Sequence, residues 1–484
     1  MNWKIIYNNF SNVEKRAVEF INKEVGRFLI RDEGVYSLYT LSIVKDTTVN
    51  TVDGNAFIIG VYDKSALIQR FVAPNELENK GSLLKVIDNP DDENASLVII
   101  TARDDKDLFY CAASFVDRYM VKNAVNVGGL MFAKRIFTQK LVPDTIKLVP
   151  HARTRGIFAW GHPINDYRRF FYDIARIGLN QLILWNDFKP LNADEIVECA
   201  HSYGIELLWG FAWGWINGCE KIETIDDAYL KKLKGNVIRA FEENYLGCGD
   251  GIYFQSFTER LDDNINGRSI ADTVTDFVND TAGELLKRYP DLKIQFGLHA
   301  TSVKNRLEPI SRVDKRVEIV WENGGVFPFD FGPVRIENKE LFEKQFEETL
   351  EFTDKILALR GADAPTAIIF KGFMKLDWTR FVNQSGPHIL GENHKDISLH
   401  DSKLRNDAWR CFAGDWIKNG HYAKRFTEHI LEKTGYNINL CMAGLFDNSI
   451  YFPEAVCAEL FYDPTEDYDD IMKRAIDKPC VTIE

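Results

Sequence analysis

At 484 residues, with 45% hydrophobic and 13% aromatic content, the chain can fill a barrel of roughly 250 residues and one companion domain. A net charge of −13 with no basic run argues against nucleic acid as a partner. No stretch reaches the roughly 20 apolar residues of a membrane span, and the eight cysteines, with no C-x-x-C spacing, form neither a disulfide framework nor a zinc motif. The first ten residues lack an apolar region followed by a small-residue cleavage site. A reducing cytoplasm is the expected setting.

Residues 1–148 alternate short helix and strand signals and predict a small α/β domain. Trp3 to Tyr7 predicts a strand. Ser11 predicts a cap for a helix over Val13 to Phe28, with Glu14 completing a capping box. Tyr36–Val44, Ala56–Val61 and Leu97–Thr101 predict further strands, and Asp104 or Asp105 a cap for a helix carrying Leu108, Cys111, Phe115 and Tyr119. Leu141 to His151, holding Pro143 and Pro150, predicts a linker.

From Arg155 a strand-then-helix rhythm sets in, which calls for parallel strands with crossover helices. The predicted strands are Gly156–Trp160, Gln181–Trp185, Glu206–Trp215, Gly251–Glu259, Lys293–His299, Val317–Trp321, Ala367–Phe373 and Ile438–Leu445. Eight units predict a (β/α)8 barrel over residues 149–484, completed by closing helices near Pro453–Leu460 and Glu466–Ala475. The fourth strand, Gly251-Ile-Tyr-Phe-Gln-Ser-Phe-Thr-Glu259, is the pivot. Tyr253, Gln255, Phe257 and Glu259 share the face that would look inward, while Ile252 and Phe254 would lie under the helices.

Side chains just past the strands of such a barrel converge on one mouth, where barrel enzymes keep their chemistry. Those residues are Trp160, His162, Trp185, Asn186, Asp187, Trp213, Trp215, Glu259, His299, Glu322, Lys371 and Asp447. Four of the ten tryptophans, Trp160, Trp185, Trp213 and Trp215, fall at three successive strand ends. Indole faces suit sugar rings, and amides and carboxylates suit hydroxyls, although any single Trp is as readily core. Glycosidic cleavage calls for two carboxylates. Glu259 is the natural acid, with Glu322 or Asp330 as partner; Asp187, Asp377 and Asp447 are explained as loop or capping residues. His162 and His299 lack metal-ligand spacing and suit hydrogen bonding, so neither a metal nor a cofactor is expected. Lys371 is an unusual charge for a barrel strand: it would meet an anionic substrate group, hold a carboxylate, or form a Schiff base.

At these residues the chain resembles the α-glucuronidases and their relatives, including β-N-acetylhexosaminidases, which join a small N-terminal α/β domain to a catalytic barrel. Phe-Thr-Glu259 resembles the family strand that ends in the general acid. Trp321-Glu-Asn-Gly-Gly-Val-Phe-Pro-Phe-Asp-Phe331 resembles an Asn-Gly-Pro-Ile-Asp-Phe segment whose Asp corresponds to Asp330, and Met442 through Pro464 resembles the eighth strand and closing helix. The departures are Lys371 and Lys375, where the family's next strand supplies an acid, and Thr258 in place of the Asp that precedes Glu in hexosaminidases. The resemblance implies a glycoside hydrolase acting on a small glycan or glycoside, a uronide among the candidates. Glu259 and Asp330 or Glu322 would do the chemistry, with Trp160, His162, Trp185, Asn186, Trp213, Trp215, His299 and Lys371 holding the sugar. The rival expectation is a carbohydrate-binding protein on the same scaffold without catalysis. A lyase or aldolase using the Lys371 amine ranks below both.

Overall fold

The structure is a computed structural model, and it describes residues 3–28, 41–46, 50–120, 124–127, 130–133, 140–160, 164–186, 188–214, 225–257, 262–298, 303, 305–322, 338–361, 363–371, 386, 388–391, 410, 412–444 and 449–482. The N-terminal part is a six-stranded mixed sheet. Its strands are β1 (Trp3–Tyr7), β2 (Ser42–Lys45), β3 (Asn55–Val61), β4 (Ser82–Asp88), β5 (Ser96–Ala102) and β6 (Asp144–Leu148), in spatial order β2-β1-β3-β5-β4-β6. The two central strands, β3 and β5, are buried along their whole length, which is why both appear in the sequence as unbroken apolar runs. Helices α1 (Asn12–Phe28) and α3 (Leu108–Phe115) cover one face, and α2 (Ala66–Phe71) packs with the other.

Two expectations for this part are corrected. The predicted linker contains β6, an edge strand that pairs antiparallel with β4. Its sequence, Asp-Thr-Ile-Lys-Leu, is mostly exposed and so lacks a hydrophobic signature. Glu14 does not bond back to the residue capping α1. Ser11 Oγ does accept from Glu14 N at 3.3 Å, but the Glu14 carboxylate accepts from the amides of Asn8 and Asn9 at 2.7 and 2.9 Å and so pins the turn before the helix.

The second part is a closed parallel barrel of eight strands, the predicted (β/α)8 architecture. The strands are β7 (Thr154–Trp160), β8 (Gln181–Trp185), β9 (Glu206–Ala212), β10 (Gly251–Gln255), β11 (Lys293–Leu298), β12 (Glu318–Trp321), β13 (Thr366–Phe370) and β14 (Asn439–Gly444), which pairs back to β7. The helices between them are α4 (Tyr167–Arg176), α5 (Ala193–Ser202), α6 (Asp227–Asn244), α7 (Ile270–Arg288), α8 (Lys339–Ala358) and α9 (His421–Thr434), followed by α10 (Phe452–Tyr462) and α11 (Tyr468–Ile476). Side-chain caps start several of them: Asp166, Asp226, Ser269 and Asn338 each accept from the backbone amide three residues on.

The sheet and the barrel share one apolar core through α1 and α3, which lie against α4 and α5. Phe109 meets the rings of Phe20, Tyr172 and Tyr203, and Arg176 pairs with Asp117 at 2.6 Å in a largely buried position. Among the described residues, no helix is long and apolar enough to cross a membrane.

Candidate active site

Strand alternation sorts the barrel into two layers. Phe158, Ile183, Trp185, Leu208, Tyr253, Val320, Ala367, Ile369, Cys441 and Ala443 form the interior, while Ile252, Phe254, Phe296, Ile319 and Ile368 join the layer under the helices. Tyr253 and Gln255 of the fourth strand face inward and Ile252 and Phe254 outward, as predicted, but Phe257 is a correction: it joins the layer under the helices. That strand is shorter than predicted: β10 ends at Gln255, and Phe257 turns the chain away with φ 52°. A left-handed backbone is costly for a bulky aromatic and tends to occur where a site needs it. The Phe257 ring is buried against Gly214 (φ 84°), where an added Cβ would lie 2.8 Å from the ring.

Three side chains, two from β10 and one from the residue after β13, converge on one carboxylate at the carboxyl end of β12. The Glu322 amide extends the ladder by bonding to Leu298 O at 3.1 Å, which turns its side chain inward, and the residue is 0% exposed. Its Oε1 accepts from the Tyr253 hydroxyl and the Gln255 amide, both on β10. On the other side, Lys371 Nζ lies 3.5 Å from Oε2. Lys371 directly follows β13, where its amide closes a tight turn onto Ile369 O at 2.9 Å, and its side chain remains 18% exposed. Between β10 and β12 stands Gly297 of β11, and a Cβ there would run into the Tyr253 hydroxyl and Glu322 Oε1. The glycine makes room for the contact.

Burial pushes the Glu322 carboxyl above the usual glutamate range, and the Lys371 ammonium pulls it back down. Both oxygens face hydrogen-bond donors, an arrangement that favours the ionised form. Phe158 and Trp185 flank the Tyr253 ring at 5.0 and 6.2 Å. Cys441 also lies in this interior; burial and the nearby Glu322 charge raise its thiol well above the normal range, so it is a poor nucleophile.

Of the candidates picked from sequence, the fold brings Glu322, Lys371 and Trp185 to one region of the barrel interior. Asn186 follows Trp185 at the end of β8; it is buried, with its side-chain amide donating to Leu184 O at 3.3 Å. Trp160 is the last residue of β7. Trp213 is a correction. Its indole is 0% exposed, stacked on Phe254 at 3.7 Å and edge-on to Phe277 of α7, so it belongs to the layer under the helices and offers no face to a sugar. Glu259, Asp330, His162, Trp215 and His299 lie outside the described residues, as do Asp187, Asp377 and Asp447.

Sequence reasoning placed Tyr253 and Gln255 on the inward face without giving them a part in the site. Gly297 went unnoticed. The available signal was strand parity: Tyr253, Gln255, Gly297 and Glu322 all hold inward positions near their strand ends.

No protein-family profile matches the chain, and no curated protein sequence does. Among solved structures, a family 89 glycoside hydrolase from Clostridium perfringens, captured with GlcNAc-α-1,4-galactose, superposes with a TM-score of 0.51 at 9% identity, covering 96% of this chain and 50% of that one. A β-N-acetylhexosaminidase superposes at 0.45 with 10% identity, covering 83% of this chain and 87% of the other. The likeness is one of fold. The chain spans about half the length of the Clostridium perfringens enzyme.

Proposed function

We propose that this protein is a glycoside hydrolase that cleaves a small glycan or glycoside at the carboxyl-end mouth of its barrel. The observation that carries the reading is the buried Glu322 carboxylate, held by Tyr253, Gln255 and Lys371 beside the Trp185 ring. The interior of a barrel rarely aims so many polar groups from several strands at one point unless something is bound or transformed there. In this reading Glu322 is the carboxylate that attacks the anomeric carbon or activates water. Glu259, beyond the turn at Phe257, protonates the leaving oxygen. Asp330, in the segment after β12, is the other candidate for the first role. Trp185 walls the sugar subsite, with Trp160, Trp215, His162, Asn186 and His299 as further contacts around it. The partly exposed Lys371 reaches the sugar's polar groups as well as Glu322, which keeps a uronide among the candidate substrates. The fold shared with a family 89 enzyme accords with this chemistry but selects no substrate, because one barrel hosts many reactions.

One observation favours a second reading, carbohydrate binding without catalysis at the same mouth. Glu322 is fully buried, and both its oxygens already have partners. A single experiment separates the two. Wild-type protein, Glu259→Gln and Glu322→Gln are assayed on aryl glycosides and aryl uronides, with sugar binding measured in parallel. The hydrolase reading expects both variants to lose at least about 1000-fold in kcat while keeping sugar affinity. Binding without turnover in the wild type would leave the second reading. Undiminished turnover in Glu322→Gln would remove Glu322 from the chemistry.

A further inference from the structure

At the opposite, amino-terminal end of the barrel is a cavity of about 540 Å³, closed on one side by the N-terminal sheet's loops near Lys80 and Asp104. It plays no part in the chemistry proposed above, and its size suits a monosaccharide-sized ligand. The innermost layer of such a barrel is usually filled by branched apolar side chains. Here Gln181, Gln295, Glu318 and Asn439 occupy it, each from a different strand. They bond in pairs: Asn439 Nδ2 to Gln181 Oε1 at 3.1 Å, and Gln295 Nε2 to Glu318 Oε2 at 2.7 Å. Among the described residues this leaves Gln295 Oε1 and Asn439 Oδ1 without a partner, on two residues that are each only 2% exposed. Flipping either amide would merely exchange an unmet acceptor for an unmet donor. Buried polar groups in that state are costly, and they mark a place where hydroxyl donors are missing.

The rim has the opposite character. Among the described residues, seven Lys and Arg line the cavity against four Asp and Glu, in a chain whose net charge is −13. Most of the seven are already engaged. Arg103 and Arg316 pair with Asp63 and Asp314 outside the cavity, Lys106 and Lys293 share Glu206, and Arg155 donates to backbone carbonyls. Arg153 and Lys80 have no carboxylate within ion-pair distance among the described residues. The Arg153 amide is anchored to Tyr436 O at 2.8 Å, and Lys80 Nζ lies 4.2 Å over the Tyr436 ring. Water alone could meet the two orphan oxygens; it gives no reason for two rim cations without a carboxylate at ion-pair distance, Arg153 acting on the buried Glu318 only from further away.

We infer that this cavity is a second binding site, for a small hydroxylated anion such as a sugar acid or a sugar phosphate. The hydroxyls would reach the amide floor, and the anionic group would meet Arg153 and Lys80. Calorimetric titration tests this with four probes: D-glucuronate, glucose 6-phosphate, glucose and inorganic phosphate. At least one of the two hydroxylated anions should bind with a Kd below about 1 mM, and at least about tenfold tighter than glucose or inorganic phosphate. Reversing the rim charge with Arg153→Glu plus Lys80→Glu should weaken that binding about 10- to 100-fold, the scale of one or two charge-assisted hydrogen bonds, without lowering Tm. Lys371→Met should leave it intact, because that lysine serves the other mouth. Three results would each overturn the inference: no binding up to about 10 mM, affinity untouched by the charge reversal, or affinity lost in Lys371→Met alone. Inorganic phosphate binding as tightly as glucose 6-phosphate, with no glucuronate binding, would also overturn it, since the floor would then contribute nothing.

Discussion

Replacing Lys371 by Met removes a cation beside a carboxylate that is 0% exposed, and the consequence for stability should depend on pH in a defined direction. Unit charges 3.5 Å apart attract by at most about 5 kcal/mol at an effective dielectric of ~20. The loss will be smaller than that. Lys371 no longer has to be partly desolvated, and Glu322 can escape by taking up a proton. Escape costs about 1.4 kcal/mol for each pH unit above the ordinary glutamate value, which limits the penalty to roughly 4 kcal/mol near pH 7.5. A loss of about 2–3 kcal/mol at that pH is the expectation.

The direction follows from Glu322 being pushed above its unfolded value of 4.5. A folded state that holds its proton longer loses stability as pH rises from that value, and losing Lys371 extends the decline to higher pH. The gap between wild type and variant should therefore be smallest near pH 4.5 and widen towards pH 8. Urea unfolding at several pH values measures it, and Glu322→Gln plus Lys371→Met should recover most of the loss, because the buried charge is then absent. A gap that stays constant with pH, or a double variant no more stable than Lys371→Met, would refute the coupling.

Tyr253→Phe takes one donor from Glu322 Oε1 at nearly constant volume. The acidic limb of the kcat/KM profile should move up by about one pH unit with little change in KM, and an unmoved profile would remove Tyr253 from the site. Gly297→Ala places a methyl against the Tyr253 hydroxyl and Glu322, and should cost about 1–3 kcal/mol by thermal melting. Unchanged stability and turnover there would mean that the three strands are not packed as described. Asp173, on α4, has its carboxyl pushed up to about 6 by burial, with Arg169 only partly offsetting this from 3.4 Å. Its folded form therefore becomes less favourable as pH climbs from 3.8 to about 6, so Asp173→Asn should gain up to about 3 kcal/mol at pH 8 and nothing at pH 3.5. Equal melting temperatures at pH 8 would count against that assignment.

The eight barrel strands were legible in the sequence because each parallel strand is buried on both faces, which forces a short apolar run such as Gln181–Trp185 or Thr366–Phe370. Their crossover helices were legible from the strand-then-helix rhythm that begins at Arg155, and the inward side of the fourth strand from simple alternation as far as Gln255; the caps at Asp226 and Ser269 emerge in the structure. That alternation also groups Trp213 with Trp209 and Phe211, on the face that meets the helices, whereas Trp185 faces the barrel interior; their shared place at strand ends hid the difference of orientation. Local pattern misses β6 because an edge strand with one exposed face needs no apolar run, and its register with β4 is fixed by pairing across more than fifty residues of chain.

Partners brought together by barrel closure lie furthest from what a sequence can state. It presents Lys371 as a charge in search of a counterion, with a protein carboxylate and a substrate carboxylate equally suitable. Closing the sheet puts β10, β11, β12 and β13 side by side, and this sets Tyr253, Gln255, the gap at Gly297, Glu322 and Lys371 at one level. Composition and periodicity determine which residues must be buried, since burial is a property of each segment. Which buried polar group meets which is a property of register and shear around the closed barrel, and only the tertiary structure decides that.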